Sequence, residues 1–352
     1  MRVLTCAVGF GLGPSGKMAS IISLSNDEWY ACGDRIDVSI YGSSPFVDCC
    51  WSRRSEDISL FVHNHRLEIA IVILDPEIAS MLVSLGLTVI YIDSIPFIWT
   101  KKDPIPYNVS YYCAQKYPDY NYNLPDALRP VSNLLWINPI IYSPPTSYKP
   151  SDYTVINFGG LHSPYGDGTE YLKIVLTNLL PCLKGEKIII TGGDNVVQFC
   201  KNHYPSIICK TFCHDIFLSL VSNAKSFYTS PGLTTIYETC HYGIPTVLLP
   251  PQNLSQMYNS KIGERILPKF KVISWNDCVL SDSFPSRYAN LPESYAVECI
   301  YDRINTLLGM TEYLSSFKHQ IASVVKADYS NNPNYERKQN GAYEILELLH
   351  SI

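Results

Sequence analysis

Short β-branched runs recur along the chain, each closed by Gly or Asp and followed by a stretch of helical periodicity, and the alternation happens twice. Parallel neighbouring strands need a crossover connection, so this alternation specifies α/β layers around parallel sheets. In the first round, strands are expected at Arg2–Val8, Ile36–Tyr41, Ala70–Leu74, Thr88–Ile92, Asn108–Cys113 and Leu134–Ile141. Helices are expected at Ser15–Leu24 and Glu77–Leu85. The second round has strands at Thr154–Phe158, Lys187–Thr191, Ile207–Phe212, Ser226–Thr229 and Thr246–Leu249. Its helices fall at Glu170–Leu180, Asn195–Asn202, His214–Ser222 and Thr234–Tyr242, then near 293–308, 311–326 and 342–350. A length of 352 residues exceeds one comfortable core, which agrees with two domains. Residues 144–152, with three prolines among Ser, Thr and Tyr, read as the linker between domain 1–143 and domain 153–335.

Composition excludes several classes. Charged residues are 17 % and the balance of 27 basic against 32 acidic gives −5, so affinity for nucleic acid through bulk charge is not expected. No apolar run reaches the ~18 residues of a spanning helix. The apolar start, Arg2–Val8, runs into glycines and reads as a strand, not a leader. Twelve cysteines occur without a Cys-x-x-Cys pair, which fits scattered reduced thiols and a cytoplasmic setting. His203, Cys209, Cys213 and His214 fit no common zinc spacing. His63 and His65 would share a face only on a strand. No metal site is expected.

Two glycine-rich turns carry the chemistry. Gly11-Leu12-Gly13-Pro14-Ser15-Gly16-Lys17-Met18 follows the first strand and opens a helix. It satisfies G-x-G-x-x-G, yet the expected second strand ends Ser39-Ile40-Tyr41-Gly42 without the acid a dinucleotide ribose wants. It nearly satisfies a P-loop, yet Met18 offers no hydroxyl for Mg²⁺. Both readings share small residues that let backbone N–H groups approach an anion, with Lys17 adding charge. A tight turn with no ligand is the plain alternative.

The second turn is Ser230-Pro231-Gly232-Leu233-Thr234-Thr235-Ile236-Tyr237-Glu238. Gly232 permits close approach, and Thr234 and Thr235 add hydroxyls to a helix start, which suits a diphosphate. Glu238, one turn on, can accept hydrogen bonds from both hydroxyls of a ribose. Alone it would read as a solvated helix carboxylate. Gly243-Ile244-Pro245 leads to the next strand, after which Gln252, Asn253 and Gln256 offer amides to sugar hydroxyls.

This string resembles the GT-B glycosyltransferases, in the branch of the UDP-glucosyl/glucuronosyltransferases and the N-acetylglucosaminyltransferase that completes lipid II. The resemblance implies an α/β fold of two Rossmann-like domains facing each other across a cleft, with residues 336–352 returning to the first domain. It implies Gly159 and Gly160 at a glycine turn after Phe158, Phe212 near the base, Ser230, Gly232, Thr234 and Thr235 at the diphosphate, and Glu238 on the ribose. Gln252, Asn253 and Gln256 would touch the sugar, and Gly13, Ser15, Gly16 and Lys17 would face the diphosphate or the acceptor. A narrower likeness of Asp93-Ser94-Ile95-Pro96-Phe97-Ile98-Trp99-Thr100, Tyr112–Gln115 and Gly13–Lys17 is to the cytosylglucuronate synthases of nucleoside-antibiotic pathways. That likeness implies UDP-glucuronate as donor and a pyrimidine base as acceptor. The Tyr/Asn-rich stretch 117–123 matches no pattern.

The expected partners are a nucleotide-sugar donor, UDP-linked, and a small acceptor, with no separate cofactor. No Asp-x-Asp occurs, so a metal-bridged diphosphate is not expected. Inversion then needs a base. Asp75 and Asp93 both end strands. Asp93, beside Ser94-Ile95-Pro96, is the expected base, with capping of its own turn as the alternative. His63 and His65 are fallbacks, and Lys17 could instead hold a substrate carboxylate. A UDP-sugar 2-epimerase and a non-catalytic nucleotide-sugar-binding protein are the rival functions.

Overall fold

The structure is a computed structural model. It describes every residue except 10, 36–37, 42, 119, 121–123, 143–150, 162–167, 267–270, 276–290, 292 and 327–338. Most of the expected linker, and part of the Tyr/Asn-rich stretch, therefore lie outside the described residues. The chain forms two compact units. The first holds Met1–Ser143, Cys213–Asp215 and Lys338–Ile352; the second holds Pro144–Phe212 and Ile216–Arg337.

The first unit is a seven-stranded sheet built from β1 (Arg2–Ala7), β2 (Glu28–Cys32), β3 (Phe46–Cys50), β4 (Ile69–Ile73), β5 (Thr88–Asp93), β6 (Tyr111–Gln115) and β7 (Leu134–Ile137). Its order is β3-β2-β1-β4-β5-β6-β7, and every strand pair is parallel. Central β4 shows why. Ile69, Ile71 and Ile73 enter one apolar cluster and Ala70 and Val72 the other, so the strand is apolar on both faces, as a sheet covered on both sides requires. Helices α1 (Gly13–Ile22), α2 (Ser55–His65) and α3 (Pro76–Ser84) connect the strands. Asp75 caps α3, its carboxylate accepting the Ile78 N–H at 3.1 Å, with Pro76 in the first turn.

The second unit repeats the plan with β8 (Tyr153–Asn157), α4 (Thr169–Leu179), β9 (Lys187–Thr191), α5 (Asp194–His203), β10 (Ile208–Lys210), α6 (His214–Ser222), β11 (Ser226–Thr229), α7 (Leu233–Tyr242), β12 (Thr246–Leu248), α8 (Leu254–Ile266) and β13 (Lys271–Val272). The six strands are parallel in the order β10-β9-β8-β11-β12-β13. Helices α9 (Glu293–Leu308) and α10 (Thr311–Lys326) follow, and Ile300, Ile304, Leu307, Phe317 and Ile321 join the core under α4.

The last helix, α11 (Gly341–Ser351), belongs to the first unit. Ala342, Ile345, Leu346 and Leu349, spaced as one helical face, pack with Met18, Ile21 and Ile140. The Glu344 carboxylate accepts the Asn138 N–H at 3.0 Å, and the Asn340 side chain accepts those of Ile141 and Ala342, each at 3.0 Å.

Four expectations about elements change. The second strand is Glu28–Cys32, and Val38–Tyr41 is one 3₁₀ turn. The third strand and α2 were not expected. His63 and His65 therefore sit two apart on a helix and do not share a face, and His65 Nε2 bonds Asp48 at 3.0 Å. Helix α8 occupies the stretch read as a sugar-contacting loop.

Candidate functional site

In a doubly wound sheet the ligand edge is where strands end and helices begin. On the second unit that edge gathers the ends of β8, β11 and β12, which are adjacent. β8 ends at Asn157, and the chain turns at Gly159 with φ +63°. The Asn157 side chain stitches two strand ends together. Its Oδ1 accepts the Gly159 N–H at 3.0 Å, and its Nδ2 donates to Thr229 Oγ1 at 2.9 Å. Gly160 serves close packing, since a Cβ on facing Gly193 would sit 2.5 Å from the Gly160 carbonyl.

β11 runs into Ser230-Pro231-Gly232, and α7 starts at Leu233 with Gly232 as N-cap and no side-chain cap. Its first N–H groups point at the edge with no acidic residue in the first turn, an electropositive helix start. Thr234 is buried and Thr235 half-buried at that start. Glu238 follows one turn later with no exposed surface, so it is a carboxylate set within the protein and not a solvated one. α7 stops at Gly243, φ +66°, whose left-handed conformation closes the helix.

After β12 the chain runs Leu249-Pro250-Pro251-Gln252-Asn253 into α8. Asn253 Oδ1 accepts the Gln256 N–H at 2.9 Å and so caps that helix, while Gln256 Oε1 accepts the Gln252 N–H at 3.1 Å. Asn-x-x-Gln is a helix-start pattern. The acceptor oxygens of Asn253 and Gln256 are thus used within the loop; these two side chains are half-buried, and Gln252 is 3 % exposed. Phe212 lies beyond β10, at the outer strand, three places from β11 and about 14 Å away by strand spacing.

The first unit has its own edge. Gly13, Ser15, Gly16 and Lys17 are not in a loop. They form the first turns of α1, and Ser15 and Lys17 are only 5 % and 2 % exposed. Gly9, Gly11 and Leu12 precede that helix as bends, Gly11 with φ +70°. The corrected β2 ends Cys32-Gly33-Asp34, so the acid that the second strand was thought to lack is present. Asp34 Oδ2 accepts the Gly9 N–H at 3.3 Å and pairs with Arg53 at 3.0 Å. Arg53 also grips Asp75 with two bonds, 2.8 and 3.1 Å, and reaches Glu77 at 3.2 Å. Those carboxylates raise its hold on its proton. Beside Asp75, Leu74 has φ +58°, strained for a non-glycine residue.

Asp93 closes β5 and is fully buried. Oδ1 accepts the Ile95 N–H at 3.0 Å, and Oδ2 accepts Trp99 Nε1 and the Tyr112 hydroxyl, each at 2.8 Å. Burial raises its pKa to about 6 against the lowering pull of those three donors. The Ile95 bond is the turn cap foreseen as the alternative. Among the described residues no group of three or more His, Cys, Asp or Glu is placed to hold a metal ion, and no helix is long and apolar enough to cross a membrane.

No protein-family model matches the chain. An 88-residue stretch is 31 % identical to the UDP-N-acetylglucosamine--N-acetylmuramyl-(pentapeptide) pyrophosphoryl-undecaprenol N-acetylglucosamine transferase of Campylobacter jejuni subsp. jejuni. It makes up 24 % of this chain and 26 % of that protein, so the match spans about a quarter of the relative's length. Over whole lengths the chain is similar to UDP-GlcNAc 2-epimerase of Methanocaldococcus jannaschii, solved with UDP-GlcNAc and UDP (TM-score 0.57, 11 % identity, 100 % of both chains). It is likewise similar to the spinosyn forosaminyltransferase (TM-score 0.54, 11 % identity, 100 % of both chains). The fold is GT-B.

Within this GT-B chain, the second unit brings Gly159, Gly160, Ser230, Gly232, Thr234, Thr235, Glu238, Gln252, Asn253 and Gln256 to neighbouring strand ends. Sequence reading missed Asn259 on α8, 4 % exposed, whose Nδ2 donates to the Pro231 carbonyl at 2.9 Å. It missed Tyr171 and Trp275, which hold the next loop. It also missed Arg53, whose signal was hidden in a segment with weak helical periodicity.

Proposed function

We propose that this GT-B protein is a nucleotide-sugar glycosyltransferase. It takes a UDP-linked donor on its second unit and transfers the sugar to a small acceptor, without a resident cofactor or metal. The observation that carries the reading is the uncapped start of α7 behind Ser230-Pro231-Gly232, with buried Glu238 one turn on. The transferase activity named for the Campylobacter relative points the same way.

In this reading the acceptor's heteroatom attacks the anomeric carbon while the bond to the diphosphate breaks. N–H groups at the start of α7, with Thr234 and Thr235, take up charge on the departing UDP. Glu238 holds the ribose diol. The acceptor's proton passes to a base. Asp93, with its pKa near 6, has suitable proton affinity. To serve, its Oδ2 must exchange Trp99 or Tyr112 for the acceptor. UDP-glucuronate and a pyrimidine base are the finer proposal, resting on the 93–100 and 112–115 segments, and Lys17 is then the residue for a substrate carboxylate.

A specific observation keeps a second reading. The UDP-GlcNAc 2-epimerases of Methanocaldococcus jannaschii and Neisseria meningitidis, both solved with UDP-GlcNAc, are similar in fold at TM-scores of 0.57 and 0.56. Incubation with a UDP-sugar, followed by NMR, separates the cases. A transferase releases UDP in an acceptor-dependent manner. An epimerase yields the C2 epimer without acceptor, and a binding protein leaves the sugar nucleotide intact.

A further inference from the structure

The loop that carries Gln252 begins with two prolines, and each proline carbonyl is taken by a buried side-chain donor from a different element. The Tyr171 hydroxyl, from α4, donates to the Pro250 carbonyl at 2.6 Å. The Trp275 Nε1–H, from the segment after β13, donates to the Pro251 carbonyl at 2.6 Å. Tyr171 has no exposed surface and Trp275 has 3 %. Tyr171 also reaches Ser230 Oγ at 3.5 Å, so one hydroxyl touches both loops of the donor edge.

The torsions explain why this matters. Proline rings fix φ at Pro250 and Pro251, and a following proline restricts Leu249 and Pro250 as well. The remaining freedom is ψ, which swings the carbonyl. A donor on each carbonyl removes it. The Pro251 carbonyl and the Gln252 N–H belong to one planar peptide. Trp275 holds one side of that plane and Gln256 Oε1 holds the other, at 3.1 Å. Upstream, the Leu249 N–H is anchored on the Thr229 carbonyl at 2.8 Å. Pro250 and Pro251 thus keep little torsional freedom, and the peptide plane that enters Gln252 is held on both sides. The clamp is itself braced. Trp275 stacks on Phe317 at 5.5 Å and 16°, Phe317 stacks on Tyr313 at 6.0 Å and 14°, and Tyr171 meets Trp275 edge-on at 6.1 Å.

Two buried side-chain donors on consecutive proline carbonyls, one of them backed by an aromatic stack, restrain the path of the chain into Gln252. We propose that Tyr171 and Trp275 are positioning residues for recognition of the donor sugar: by fixing the Pro250 and Pro251 carbonyls they fix where the Gln252 carboxamide is presented. The proposal rests on the donor site described above. It assigns the sugar preference to residues that never touch the sugar, through a loop held by side chains and not by strand pairing.

The test uses the full-length protein with Tyr171→Phe, Trp275→Phe and a control, Tyr153→Phe. The control loses a comparable bond, from its hydroxyl to the Leu220 carbonyl at 3.0 Å, in the same unit. Hydrogen exchange should rise about fivefold at the Gln252–Gln256 amides in both clamp variants and not in the control. Isothermal titration with UDP, UDP-N-acetylglucosamine, UDP-glucose and UDP-glucuronate should show UDP affinity nearly unchanged. The spread among the three sugars should shrink about threefold. Unchanged loop exchange, an equal rise in Tyr153→Phe, a parallel loss of UDP and UDP-sugar affinity, or a wild-type protein that does not discriminate among the sugars overturns the proposal. A wild-type protein that binds neither UDP nor any UDP-sugar overturns the donor site itself, whereas wild-type discrimination that survives in both variants overturns only the clamp.

Discussion

Asp93 and Arg53 show how a single side chain at a strand end can be committed before any ligand arrives. Asp93 has a folded pKa of about 6 because burial outweighs three donors. The sign follows from linkage. The folded state holds this proton more tightly than the unfolded chain, so the group's contribution falls as pH rises from about 4 to about 6 and is flat above. The loss is about 3 kcal/mol at ~1.4 kcal/mol per unit. Tyr112→Phe removes one donor to the carboxylate and should push its pKa above 6, read from the carboxyl stretch in infrared difference spectra; a lowered pKa would contradict the account. Arg53→Ala leaves Asp75, only 1 % exposed, without its bidentate partner. Because Arg53 is itself 37 % exposed, the expected destabilisation is modest, about 1–2 kcal/mol by urea unfolding. The sequence showed Asp75 and Asp93 at strand ends, since a β-branched run closed by Asp is visible in one dimension. It could not show Arg53, because the partners that give the guanidinium its place, Asp34 and the Asp75–Glu77 turn, come from two segments far from it in sequence.

Among the elements, those buried on both faces were the most legible. β4 and β5 read as strands because parallel-sheet burial writes itself as a nearly continuous apolar run. Edge strands β7 and β10 were also expected, but β2, β3 and α2 were not. β3 is a half-exposed edge strand, Phe-Val-Asp-Cys-Cys, and β2 mixes Glu, Trp and Tyr. α2 buries only Ile58 and Val62, too thin a stripe to announce a helix. The error at β2 then spread to function, since the acid missing from the wrong strand is Asp34 on the right one. At α8 the helix-start pattern was available in Asn253-x-x-Gln256 but was read as sugar chemistry. Asn253→Ala should therefore cost about 1 kcal/mol of stability as a lost cap, with thermal melting as the check. The return helix makes a sharper prediction. A Cβ on Gly341 would lie 2.0 Å from the Asn138 carbonyl oxygen, a backbone atom that cannot step aside. Gly341→Ala should lower stability by about 3 kcal/mol, whereas exposed Tyr343→Ala on the same helix should change it little.

At the scale of the whole molecule, two parallel-sheet units explain the low charge content. Helix-start N–H groups and threonines suit a diphosphate without a basic patch, and the net charge of −5 agrees with small substrates. The two-unit plan and the second unit's edge were legible because βα alternation and the 230–245 string are local in sequence. The carbonyl clamp on Pro250 and Pro251 was not, because its donors stand tens of residues away on either side. The central claim is that Ser230–Glu238 is a UDP seat, and isothermal titration of UDP tests it most directly. The wild-type protein should bind, and Glu238→Gln, which keeps size and removes charge, should weaken binding about tenfold with little change in melting temperature. Absence of UDP binding in the wild type, or unchanged affinity in Glu238→Gln, would contradict the account.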